Sequence, residues 1–124
     1  KLAEGVAPTQ VPLLVHAGDI FIRPSRSEGL GNSFLEAMAA RKIIIGTNAG
    51  GIPDFLTDGE TGFVVGIEDP KSIADAVLRI MKLTAEEKKA ILDKAESLVR
   101  EKYDWELIAT NMREIFTEVS LCKK

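Results

Sequence analysis

The spacing of apolar positions changes along the chain and divides it into elements. Val11 to Ala17 (VPLLVHA) form a short apolar run, with Pro12 suited to a first helical turn and Gly18 closing it. Residues 19–25 (DIFIRPS) switch to a β-branched and aromatic run stopped by Pro24, which predicts a strand. Residues 29–41 (GLGNSFLEAMAAR) read as a glycine turn feeding a helix that begins near Asn32. Residues 42–48 (KIIIGTN) are apolar at successive positions, so both faces of that strand must be covered, as in a parallel sheet between helix layers. The run GFVVG at 62–66 repeats the pattern after the turn signal TDGETG.

The rest of the pattern is helical. Asp69 and Pro70 provide an N-cap and a first-turn proline ahead of a stripe of Ile73, Val77, Ile80 and Met81. Thr84 and Glu87 have capping-box spacing before a second stripe of Ile91, Ala95, Leu98 and Val99. Asp104 can cap a third helix whose stripe is Trp105, Ile108, Met112, Ile115, Phe116 and Val119. All three stripes read as core.

Strands separated by helical segments imply βαβ units. The predicted class is therefore α/β, a Rossmann-like three-layer half-domain with a short parallel sheet of about three strands and C-terminal helices. A doubly wound nucleotide-binding sheet commonly has five or six strands, so the pattern suggests the second half of such a domain. Residues 1–18 read as a linker and short helix, and 19–122 as the half-domain. The chain of 124 residues opens on Lys1, which suggests a cut N-terminus.

Sixteen Lys and Arg face nineteen Asp and Glu, a net charge of −3, which argues against a general nucleic-acid binder. Cys122 is the one cysteine, so the chain has no disulfide framework and no thiolate metal cluster. No signal peptide or long apolar run is present, and the chain reads as cytoplasmic.

The chemistry concentrates in residues 23–36, RPSRSEGLGNSFLE. Open α/β sheets bind ligands outside the carboxyl ends of their strands, which is where this loop lies. Glycines let backbone approach a ligand, and free N–H groups at a helix start attract anions such as a diphosphate. GLGNSF is not the full dinucleotide fingerprint, because Phe34 stands where the third glycine belongs. Glu28 and Glu36 are separated by seven residues, and carboxylates accept hydrogen bonds from sugar or ribose diols.

Other readings of these residues stand beside that one. Ser33 and Glu36 also have capping-box spacing. Glu28 is by default an ordinary exposed loop acid, and Gly50 and Gly51 are by default turn chemistry ahead of a short helix. Arg23 and Arg26 could reach a diphosphate or pair with acids. His16 takes no catalytic role, and Lys88, Lys89, Lys123 and Lys124 are solvated.

The run FIRPSRSEGLGNSFLEAMAARKIIIGTNAGGIPDFLTDGETGFVV resembles the donor-binding half of retaining glycosyltransferases of the GT-B group, group 1 or family 4 type. The resemblance extends from about Ile20 to Glu118 and includes the E-x7-E pair in an EGLG-type loop, the DGETGF turn and the Tyr103-Asp104-Trp105 segment. It implies a nucleoside-diphosphate sugar as donor, and transfer of a hexosyl group to an acceptor hydroxyl with retention. Glu28 would be the catalytic contact, touching the donor sugar and stabilising charge at its anomeric carbon. Backbone at Gly29, Leu30, Gly31 and Asn32 would hold the sugar and distal phosphate, and Glu36 the ribose hydroxyls. The chain contains no DxD pair, in keeping with that family's metal independence, so no metal or cofactor is expected.

The resemblance also places an acceptor-binding N-terminal domain and the basic phosphate-binding residues upstream of Ile20, outside this chain. It allows the parent enzyme to be peripheral at the inner membrane face. Two rival functions are an epimerase of the same architecture acting on nucleotide sugars and an inactive half-domain. The half-domain would self-associate through an exposed sheet edge. One departure is local: Arg41-Lys42-Ile43 stands where related sequences read Gly-x-Pro, which removes a glycine suited to ending the helix.

Overall fold

The computed structural model describes residues 5–121. The lone Cys122 and the Lys123–Lys124 tail lie outside the described residues. Within them the elements are α1 (Val11–Ala17), β1 (Ile20–Arg23), α2 (Asn32–Ala39), β2 (Ile43–Thr47), β3 (Phe63–Val65), α3 (Pro70–Lys82), α4 (Ala85–Lys102) and α5 (Trp105–Leu121). A 3-10 turn at Pro8–Gln10 lies in the stretch read as linker, and a second one spans Ile52–Asp54.

The strands form one parallel sheet in the order β1-β2-β3. Ile20 pairs with Ile43, and Ile45 with Phe63. Because side chains alternate, Phe21, Ile44 and Val64 fall on one face and pack with α2 and the second half of α4. Ile43, Ile45, Phe63 and Val65 fall on the other, against α3 and Ile91. Every residue of β2 is buried, as its unbroken apolar run requires. β1 bonds to β2 alone and forms an edge, where Ile22 is 44% exposed.

Phe34 organises the α2 side of the core. It is fully buried, meets Phe21 edge-on at 5.5 Å and lies 5.9 Å from Phe55. Gly46 makes this possible, since a Cβ there would sit 2.9 Å from both the Phe34 ring and Leu56.

The starts of α3, α4 and α5 are capped as the sequence predicts. Asp69 accepts from the Ser72 N–H, Thr84 and Glu87 form a complete capping box, and Asp104 accepts from the Glu106 N–H at 2.8 Å. The end of α2 is a Schellman motif without glycine. The Lys42 N–H bonds to the Ala37 carbonyl and the Arg41 N–H to that of Met38, with Arg41 held at φ 56°. Its guanidinium pairs with Asp93 and Glu96 of α4, which offsets the strain of a left-handed arginine.

Two stripes depart from the core assignment. In α3, Ala76 and Ile80 are buried and Ile73 and Val77 half-buried, but Met81 is 70% exposed. It sits about 100° around the helix from Ile80, off the face that meets the sheet. In α5 no residue is buried: Trp105 is 77% exposed and Phe116 63%, with only Ile108 half-covered. The helix is amphipathic, yet no layer among the described residues packs on its apolar face.

Candidate donor-sugar site

β1 ends at Arg23, and the following loop returns to α2 over the carboxyl end of the sheet. Gly31 turns that loop into the helix in a left-handed conformation, φ 75° and ψ 54°. A Cβ there would meet the Phe34 ring at 2.9 Å and Cγ of Glu28 at 3.2 Å, so glycine is required. Gly31 is also the N-cap, and no side chain caps the helix. The capping-box reading of Ser33 and Glu36 is therefore wrong. The Ser33 hydroxyl instead accepts from Arg23 Nη1 at 2.6 Å, and the first N–H groups of α2 have no side-chain acceptor.

Glu28 is not an ordinary exposed loop acid. Its side chain is only 12% exposed, and its Oε2 receives Arg23 Nη2 at 3.1 Å and the Ser25 hydroxyl at 3.0 Å. The buried Thr47, at the end of β2, donates its hydroxyl to the Ser25 carbonyl. The two arginines that could have reached a diphosphate are paired with acids: Arg23 with Glu28, and Arg26 with Glu68 at 2.6 Å.

Gly50 and Gly51, read from sequence as turn chemistry, seat the loop that carries Glu28. Gly50 adopts φ 57°, and a Cβ on it would lie 1.7 Å from the Glu28 carbonyl oxygen. The Gly51 N–H donates to the Gly29 carbonyl at 2.9 Å. The loops after β1 and β2 are thus fastened backbone to backbone. Consecutive parallel strands bring their carboxyl-end loops side by side, but which residues meet there depends on the fold. At Gly29 itself an added Cβ would meet nothing within 4 Å, so the side away from the Gly51 contact is open.

Asn32 and Glu36 are both exposed on one side of α2. With Leu30, Tyr103 and Trp105 they line a groove of about 330 Å³. Glu36 also borders a second groove of about 360 Å³, shared with Pro12, Val15 and His16 of α1. Burial, with Asp54 adding, pushes the Tyr103 phenol above its usual range. A larger hollow of about 400 Å³ lies at the amino ends of the strands, between Asp19, Arg41, Lys42 and Lys88, and includes none of the loop residues. The described residues bring together no group of three or more His, Cys, Asp or Glu able to hold a metal.

A parallel sheet flanked by helices, with an anchored carboxylate in the loop at its carboxyl end, belongs to the open α/β class. Residues 1–98 match the family described as "Glycosyl transferases group 1", and the chain belongs to that family. It is 38% identical over 101 residues to a sulfoquinovosyl transferase of Arabidopsis thaliana, covering 78% of this chain and 19% of that protein. It is 36% identical over 115 residues to the lipopolysaccharide 1,2-N-acetylglucosaminetransferase of Salmonella typhimurium, covering 91% of this chain and 30% of that one.

Among solved structures, the C-terminal domain of the group 1 glycosyl transferase LpcC from Francisella tularensis superposes with TM-score 0.74 at 29% identity. That alignment covers 84% of this chain and 53% of that domain. HepE from Anabaena, crystallised with UDP-glucose, has the same fold, with TM-score 0.79 at 21% identity over 87% of this chain and 30% of HepE. The three parallel strands and flanking helices are those of GT-B glycosyltransferases, as the sequence predicts. Among the described residues, no helix is long and apolar enough to cross a membrane.

Proposed function

We propose that this chain carries the sugar-side part of a donor site for a nucleoside-diphosphate sugar. The enzyme built around it transfers a hexosyl group to an acceptor hydroxyl with retention of anomeric configuration and without a metal ion. The observation that carries this reading is the convergence of the β1 and β2 loops. They bring the Glu28 carboxylate, the Gly29 main chain and the uncapped start of α2 together at one end of the sheet. HepE, of the same fold, binds UDP-glucose.

In this reading Glu28 accepts hydrogen bonds from hydroxyls of the donor sugar, and its charge opposes the positive charge that develops at the anomeric carbon. Backbone N–H groups from Gly29 to Asn32 hold the sugar and distal phosphate, aided by the positive end of α2. Glu36, one helical turn on, takes the ribose hydroxyls. The bond between the anomeric carbon and the phosphate oxygen breaks, and the acceptor oxygen bonds to that carbon on the same face. The leaving diphosphate takes up the acceptor proton. Positioning and preorganised charge supply the rate, which requires a closed cleft that excludes water.

Calorimetric titration with UDP-glucose and UDP at millimolar concentration tests the site. Glu28→Gln is expected to weaken UDP-glucose about 10-fold with little effect on UDP, and Glu36→Gln to weaken both by about the same factor. Affinities within twofold of wild type in both variants would sink the assignment, and no binding by the wild-type chain would favour an inert half-domain. Anomer analysis of the product made by the enzyme containing this chain decides retention.

The exposed Ile22 on the one-sided edge strand β1 supports a second property. We propose that the isolated chain self-associates through that edge. A single monomeric species in sedimentation at high concentration would refute this.

A further inference from the structure

We infer that Arg23 is a positioning residue for Glu28, presenting its carboxylate to the donor sugar, and not a ligand of the diphosphate. The inference rests on the reading of Glu28 given above. Arg23 closes β1 and is held from two directions at once. Nη1 donates to the Ser33 hydroxyl on the first turn of α2, at 2.6 Å, and Nη2 reaches Glu28 Oε2 in the loop between, at 3.1 Å. The guanidinium also lies 5.9 Å from the centre of the Phe34 ring, which is fully buried and cannot move aside. One side chain therefore ties the strand end, the loop and the helix start together. Swinging the guanidinium away to serve mainly a phosphate would leave a carboxylate that is only 12% exposed without its counter-charge.

The contacts on Glu28 are distributed in a way that suits sugar binding. Arg23 and Ser25 both address Oε2. Among the described residues no hydrogen bond or ion pair to Oε1 is formed, and no buried side-chain oxygen is left unsatisfied, so Oε1 is open to a ligand. One oxygen is thus anchored by a charged and a neutral donor while the other keeps its lone pairs for hydroxyls. Arg26 differs. It is 79% exposed, pairs with Glu68 well outside the loop's hydrogen bonds, and fixes no part of the site.

The test is a double-mutant cycle on this chain, read by affinity for UDP-glucose and for UDP. Arg23→Met is expected to weaken UDP-glucose about 5- to 10-fold and leave UDP within about twofold. Arg23→Lys, which keeps a donor and the charge, should recover part of the loss. In a Glu28→Gln background Arg23→Met should add less than about twofold, because the group it positions has already been altered. Equal losses for both ligands, growing as salt is lowered, would make Arg23 a phosphate ligand and overturn the inference. So would affinities unchanged in Arg23→Met. If Arg23→Met fails to fold, Arg23→Lys and Ser33→Ala carry the test, and a lack of UDP-glucose-selective loss in both counts against it. The two levels fail differently. When Glu28→Gln itself leaves UDP-glucose binding intact, the donor-site reading is wrong; when only the Arg23 variants do, the positioning role is wrong.

Discussion

The two ends of the sheet differ in how closely the main chain of one loop is pressed against the next. At the carboxyl end, the loops after β1 and β2 are joined through main chain, with Gly50 and Gly51 pressed against the backbone of Glu28 and Gly29. At the amino end, the strands are tied to their surroundings by long exposed side chains. Arg41 reaches Asp93 and Glu96, and Lys42 Nζ donates to the His16 carbonyl at 3.1 Å. Backbone contacts fix atoms to within tenths of an ångström and tolerate no added carbon. Exposed ion pairs are individually weak, adaptable and replaceable. The end proposed to hold the donor has the closer main-chain contacts, and the opposite end has the more adaptable ones.

The largest effect that separates the two ends is expected from a pair of glycines. Gly50 and Gly59 both have positive φ, 57° and 74°, but a Cβ at Gly50 collides with the Glu28 carbonyl while one at Gly59 meets nothing within 4 Å. Gly59→Ala should cost about 1 kcal/mol, the conformational penalty alone. Gly50→Ala should cost about 3 kcal/mol or more, or displace the loop and abolish UDP-glucose binding. Similar urea-unfolding free energies and intact binding in both variants would show that the loops are not fastened as described.

A smaller effect is expected at the amino end and shows itself with pH. Asp93 is held below its ordinary pKa by Lys89 and then Arg41, and Glu96 by Arg41 and then Arg100. Depressed carboxylates stabilise the fold at pH values above their unfolded-state pKa values, 3.8 and 4.5, and that contribution fades as pH falls through the lower folded-state values. The melting temperature should therefore decline below about pH 4.5. Arg41→Met should lower it by no more than about 5 °C at pH 7 and flatten the acid decline. UDP-glucose affinity at pH 7 should not change. An Arg41→Met variant that loses donor binding would break the separation between the two ends.

Much of this was legible in the sequence because local rules governed it. The apolar run 43–45, the caps at Asp69, Thr84 and Asp104, and the glycine turn at 29–31 each have one physical solution. The E-x7-E spacing marked the loop and helix that carry the candidate site. What was not legible depended on distant partners. Nothing near Gly50 reveals that Glu28 will lie against it, and nothing near Ser33 reveals that Arg23 will claim its hydroxyl. The stripe of α5 shows a further limit. Periodicity encodes that a face is apolar, but burial needs a second surface, and Trp105, Ile115 and Phe116 remain exposed among the described residues. Arg41 was recognisable as a missing glycine, while its compensation, 52 and 55 positions away in Asp93 and Glu96, was not.

The most direct test of the central claim, that the carboxyl-end loops are the donor site, is amide hydrogen exchange with and without saturating UDP-glucose. Slowed exchange should concentrate in residues 28–36 and 47–51, with residues 19–20, 41–42 and 88–92 at the opposite end unchanged. Protection confined to the amino-end residues, or none anywhere at saturation, would contradict it.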